Sequence, residues 1–126
     1  MVEIKNDNDE LLAVIDNFGN FGKGISFYGT RGDFLQVGKF RYDKDHIMKD
    51  HRHIDRPRKT DKTQEIVVMF KGSCEAKIFD TTGSDLVAKM VLEAGDIFIL
   101  YNGGVGFTVL EDDTVMLEAK NGQYNV

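Results

Sequence analysis

A single cysteine in 126 residues leaves Cys74 nothing to pair with inside the chain, which excludes an internal disulfide framework and fits a reducing, cytoplasmic setting. Cys74 lies in "GSCEAKIF", where a strand makes it a small buried hydrophobe and not a nucleophile. No apolar run approaches the ~20 residues that cross a bilayer, and "MVEIKNDNDELLAVIDN" has no apolar stretch behind a basic start, so no membrane span and no leader are expected. An excess of positive charge is also missing. Sixteen Lys and Arg against 21 Asp and Glu give a net charge of −5, which argues against a sequence-independent hold on nucleic acid. The one basic cluster, Arg52 to Lys62, is interrupted by Asp55 and Asp61 and reads as a solvated loop. The glycines of "NFGNFGKGISF" lack the Gly-Lys-Ser/Thr ending of a phosphate loop and precede no helix, so this stretch is a loop, and "RGD" at 31–33 is a turn.

What the chain does have is a succession of short runs rich in Val, Ile, Phe and Tyr, each bounded by Gly, Asn or Asp, and that pattern specifies strands between turns. Ten are expected: residues 11–16, 24–29, 34–42, 46–53, 64–72, 74–80, 86–92, 96–101, 106–111 and 114–120. So many short strands in one 126-residue domain predict an all-β sandwich or barrel. "DTTGSD", "EAGD" and "EDDT" supply the hairpin loop and tight corners. "CEAKIFD" alternates with Cys74, Ala76 and Ile78 on one face, whereas "IVVMF" and "IFIL" are apolar on both faces, as central strands are. The N-terminal "LLAVID" and the apolar segments near 25–40 exceed what a small barrel needs inside, so a homodimer is expected in which strands of one subunit extend or cover the sheet of the other.

Candidate chemistry is concentrated in "HRHIDRPRKTDKTQE". On an extended strand His51 and His53 project from the same face while Arg52 points away, which lets two imidazoles share one ion. Glu65 shares parity with Val67 and Met69 and is expected to point inward, where a carboxylate needs a partner. Gln64, of opposite parity, is expected to face away. The competing reading leaves both histidines as loop residues held by Asp50 or Asp55, with Glu65 an edge charge beside Arg56 or Arg58. Tyr28, Tyr42, Phe27 and Phe98 are expected as core aromatics, Met48 and Met69 as core filler.

The H-x-H pair, the Arg-containing loop, "EIVVMFKG" with a glutamate ahead of a glycine, and "LEAGDIFILYNGGVGF" together resemble the two motifs of the cupin superfamily, particularly its small single-domain members. The resemblance covers most of the chain. It implies a cupin-type double-stranded β-helix, a jelly-roll barrel of two antiparallel sheets with a pocket in its mouth, commonly a homodimer. His51, His53 and Glu65 match the first-motif metal ligands, Gly72 its closing glycine and Gly95 the start of the second motif. Val105 stands where the related proteins carry a fourth ligand, a histidine.

Three outcomes follow from that replacement. The two histidines and one carboxylate can keep a divalent iron, manganese, nickel or zinc with open positions for isomerase, epimerase or oxygenase chemistry. The site can instead be a metal-free pocket that binds a small acidic or sugar-like molecule without turnover. His46 can serve as a replacement donor if a bulge corrects its parity.

Overall fold

The computed structural model describes residues 1–82 and 84–123; Gly83, in the expected "DTTGSD" loop, and residues 124–126 lie outside them. Among the described residues ten strands form: β1 (Val2–Lys5), β2 (Leu11–Asn17), β3 (Gly24–Tyr28), β4 (Val37–Arg41), β5 (Glu65–Lys71), β6 (Ser73–Phe79), β7 (Leu86–Glu93), β8 (Asp96–Leu100), β9 (Gly104–Val109) and β10 (Val115–Lys120), with one 3₁₀ turn at Phe18–Asn20. The protein is all-β. No helix among the described residues is long and apolar enough to cross a membrane.

The strands make three antiparallel sheets, ordered β1-β2-β8-β5-β10, β7-β6-β9 and β3-β4. They remain separate, so the closed two-sheet barrel expected from the sequence gives way to a layered arrangement with open edges among the described residues. The inner layer of side chains lies between the five-stranded and three-stranded sheets. Val67, Met69, Phe98 and Leu100 meet Cys74, Ala76, Ile78 and Leu92 there, with Phe107 and Val105 packed against them. The alternation of "CEAKIFD" is what places Cys74, Ala76 and Ile78 in this layer, all three fully buried. Burial also pushes the Cys74 thiol up from its ordinary value, which keeps it protonated.

The opposite face of the five-stranded sheet carries a second apolar cluster of Val14, Ile97, Ile99 and Tyr101, covered by Tyr28 and Val37 of the β3–β4 hairpin. Both faces of β2 are therefore occupied within the chain, and β1 and β8 pair with its two edges. The hairpin's other face is a different matter: Ile25, Phe27 and Phe40 stay exposed, and Phe27 lies over Gly38, where a Cβ would come within 2.8 Å of the ring.

Two segments depart from the expectation. The strand foreseen at 46–53 does not form; residues 42–64 are irregular, because that stretch has only Tyr42, Ile47, Met48 and Ile54 as large apolar side chains, with no two-residue period among them, and all four are exposed. Phe27, Tyr42 and Met48 are likewise exposed instead of core, whereas Tyr28, Phe98 and Met69 are buried as foreseen. The unforeseen β1 is a four-residue edge strand, three of its positions exposed, held by pairing to β2. Gly72 closes the β5–β6 corner at φ +79, with Thr114 so close that a Cβ would collide with it, and Gly95 turns β7 into β8 at φ +94.

Candidate functional site

His51 and His53 are neighbours, their rings edge to face with centroids 5.1 Å apart, but both stand in solvent on the irregular segment. The Nδ1 of His51 lies 3.0 Å from the carbonyl of Lys49, so its own loop already engages it. His46 stacks on Tyr42 at 3.7 Å between centroids. Glu65 opens β5 directly and shares the face of Val67 and Met69, as its parity requires. The structure thus brings the two imidazoles together and does not bring Glu65 to them. Among the described residues no three His, Cys, Asp or Glu side chains converge on one point that could hold a metal. Without a strand at 46–53 the two-residue period has no sheet face to aim the imidazoles at. In this arrangement His51, His53 and Glu65 do not fit a divalent ion. Val105 faces the apolar layer opposite Ile78 on β6.

Glu65 has a different partner. β10 runs antiparallel beside β5, with Glu118 opposite Val67 and Lys120 opposite Glu65. Burial first, and then the charge of Glu118 and a hydrogen bond to it, push the Glu65 carboxyl up to about 7, against the pull of Lys120. Lys120 also pairs with Glu118 at 3.1 Å. Up to about neutrality Glu65 therefore keeps its proton beside Glu118. Because the folded value lies above the unfolded one, the stabilisation this pair gives is complete below about pH 4.5 and is lost as pH rises through about 7. Glu118→Gln removes the like charge and is expected to raise stability at about pH 8 by roughly 1 kcal/mol, discounted for the exposure of Glu118, with little change at about pH 5. Urea unfolding at the two pH values checks this; an equal effect at both would mean that the carboxyls are not coupled.

A concavity lies elsewhere, at the end of the five-stranded sheet where β2 and β5 begin and β8 ends. It is a cleft of about 570 Å³ walled by the start of β2, by residues 30–34 of the β3–β4 connection, by residues 58–62, and by Gln64, Tyr101 and Asn102. That volume is within the range of small-molecule sites. Gln64 organises it. The residue is buried; its Oε1 accepts from the backbone of Leu35 at 2.8 Å, and its Nε2 donates to Asp33 Oδ1 and to the carbonyl of Tyr101, each at 3.2 Å. The backbone N–H of Gln64 donates to Asn121 Oδ1 at 2.6 Å, which ties the site to the end of β10. Thr30 N donates to Asp33 Oδ2 at 2.7 Å, closing the turn that "RGD" announced.

Gln64 and Glu65 are consecutive and face opposite sides of the sheet. Sequence reasoning correctly sent Glu65 inward and correctly turned Gln64 away from it, but assigned no role to the side on which Gln64 lies. Tyr101 went unnoticed for the same reason, as the residue after an apolar run. The signal that could have found them is positional: both are polar residues at the ends of central strands, where a sheet's ladder stops and side chains can line an opening.

The fold and cleft define a layered, antiparallel all-β protein with a polar opening at one end of its central sheet. Comparison with protein-family models, with curated proteins and with solved structures returns no match.

Proposed function

We propose that this is a small-molecule-binding protein on a cupin-type β-sandwich, acting in the cytoplasm by capturing its ligand without a metal at His51, His53 and Glu65. The cleft carries this reading: it is the size of a metabolite and is walled mainly by polar groups held by a buried glutamine. A single cysteine, free and buried, suits a reducing compartment. The test is thermal stability against a panel of small sugars, sugar acids and dicarboxylates, each with and without a chelator. Stabilisation that persists in the chelator is expected. Stabilisation that appears only when iron, manganese, nickel or zinc is supplied, and that His51→Ala abolishes, would replace this reading with the metal-dependent isomerase or oxygenase one. That alternative has the neighbouring His51 and His53 rings in its favour, and it requires the irregular segment to carry them to Glu65.

The same reading includes a homodimer. Ile25, Phe27 and Phe40 form an apolar surface on the outer face of the β3–β4 hairpin, and both strands of that hairpin have a free edge among the described residues. Light scattering at micromolar concentration is expected to give twice the chain mass, and Phe27→Asp to return the single mass. A wild-type monomer would refute the dimer.

A further inference from the structure

Residues 41–63 are exposed without interruption and form an arm between β4 and β5. Among the described residues, none of 44–61 is hydrogen-bonded or ion-paired to anything outside 42–62. Connections longer than about 15 residues without regular structure are uncommon in compact domains and commonly serve binding. The arm also carries apolar surface that a solvated loop has no use for: Ile47 is 85 % exposed and Ile54 74 %, with Met48 exposed as well.

A second apolar surface is left open on the five-stranded sheet. The β3–β4 hairpin covers that sheet over β2 and β8, where Val14, Ile97 and Ile99 lie, and Val68 of β5 packs at the margin of the same cluster. Phe70 stands two residues beyond Val68 on β5, and Leu117 of β10 pairs with Val68, so both share its face. They are 59 % and 52 % exposed. The turn Glu111–Asp113 borders this surface, tied to it by the ion pair of Asp113 with Lys71, while Glu111 and Asp112 make no ion pair among the described residues.

Charge is segregated in the same way. Residues 21–63, the hairpin and the arm, hold 11 Lys and Arg against six Asp and Glu, a net +5, whereas the remainder holds five against 15, a net −10. Two copies of such a chain attract when the basic stretch of each meets the acidic body of the other. Within one chain the two surfaces lie apart: residues 58–62 wall the cleft where β5 begins, and Phe70 and the acidic turn stand where β5 stops. A two-fold axis that runs the copies head to tail brings those opposite ends together twice and closes the assembly. Resting on the homodimer proposed above, we infer that the arm is an interaction surface for a second copy, laying Ile47, Met48 and Ile54 on the Phe70–Leu117 face of that copy with its cations toward the Glu111–Asp113 turn.

Sedimentation velocity of the full chain over a dilution series tests this, together with carbodiimide cross-linking of isotopically light and heavy chains mixed dilute and then concentrated. A dimer weakened by sodium chloride is expected, with zero-length links that join Lys44, Lys49 or Lys59 of a light chain to Glu111 or Asp112 of a heavy one. Ile47→Asp/Ile54→Asp, in the irregular arm, and Phe70→Thr/Leu117→Thr, which keeps strand-forming residues, should each raise the midpoint concentration of dimerisation by about tenfold or more. All four side chains are exposed, so melting temperatures measured at a concentration where every chain is monomeric should stay close to wild type. A dimer that Phe27→Asp dissociates and neither pair weakens would overturn the inference while leaving the dimer standing. Links confined to chains of one isotope would do the same, since the arm would then cover its own sheet. A chain that stays monomeric at every dilution would overturn both, and retention of that monomer on a heparin column would give the arm to an acidic polymer instead.

Discussion

Phe98→Ala is expected to cost about 4 kcal/mol, enough to lower Tm by roughly 15 °C in a chain of this size. Phe98 sits in the middle of β8, the strand flanked on both sides by β2 and β5, and is fully buried. Its ring meets that of Phe107 on β9 edge to face, with centroids 5.7 Å apart and planes at 84°. It is therefore a central contact among those that join the five-stranded sheet to the three-stranded one. Truncation removes the ring from between two sheets whose backbones are fixed by their own ladders, so the cavity cannot collapse and the full cost is felt. Phe70→Ala, on the same sheet but 59 % exposed, is the control and should stay within about 0.5 kcal/mol. Chemical denaturation of the two variants measures both. A Phe98 effect no larger than that of Phe70 would mean that the two sheets do not pack as described.

Asp16→Ala is the second large effect, expected at about 3 kcal/mol. Asp16 ends the buried run of β2 and faces the hairpin. It accepts from the Tyr28 hydroxyl at 2.6 Å, from Asn20 Nδ2 at 3.0 Å and from the backbone N–H of Asn17 at 2.9 Å, with Lys39 Nζ at 3.6 Å. Burial acts to raise its pKa, but those hydrogen bonds and the Lys39 charge outweigh it and hold the carboxyl at about 2. Tyr28 is raised in turn, by burial and by its bond to Asp16, so the phenol remains the donor. Lys39 also lies over the Tyr28 ring, 4.5 Å from its centroid. Alanine at position 16 strands a buried hydroxyl and leaves an ammonium without its counter-charge. Since the folded pKa lies below the ordinary 3.8, the stabilisation from ionised Asp16, about 2 kcal/mol, is complete above that value and is lost as pH falls through about 2. Wild type should therefore lose stability on acidification in this window, and Asp16→Asn, which keeps an acceptor without the charge, should lose less there. The consequence reaches the cleft: residues 30–34 connect β3 to β4, so loosening the hairpin loosens one wall of the opening, and Asp16→Ala should weaken ligand binding as well as stability.

How much of this could be read in the sequence divides along a physical line. Strands with an apolar face were legible, because a two-residue period and β-branched side chains specify both the element and its buried side; β5, β6 and β8 fall within a residue of their expected bounds. The segment 46–53 was misread because alternating histidines satisfy the same period without supplying apolar surface, and nothing then holds the backbone extended. β1 was invisible because a four-residue edge strand with one buried residue is stabilised by its neighbour's ladder and not by its own pattern. At the site, the inward turn of Glu65 followed from parity alone, whereas its partner Glu118 depends on the register of β10 against β5, which sequence does not encode locally. The cleft was least legible. Its walls come from four stretches far apart in the chain.

We propose that this protein takes its ligand at the end of the central sheet, away from the histidine pair and without a metal. Amide chemical-shift mapping of the isotopically labelled chain, in the presence of a chelator and through titration with the panel of small sugars, sugar acids and dicarboxylates, tests it most directly. Shifts confined to residues 30–34, 58–64 and 101–102 are the predicted result. Shifts centred on His51, His53 and Glu65, or none until a divalent metal is restored, would contradict it.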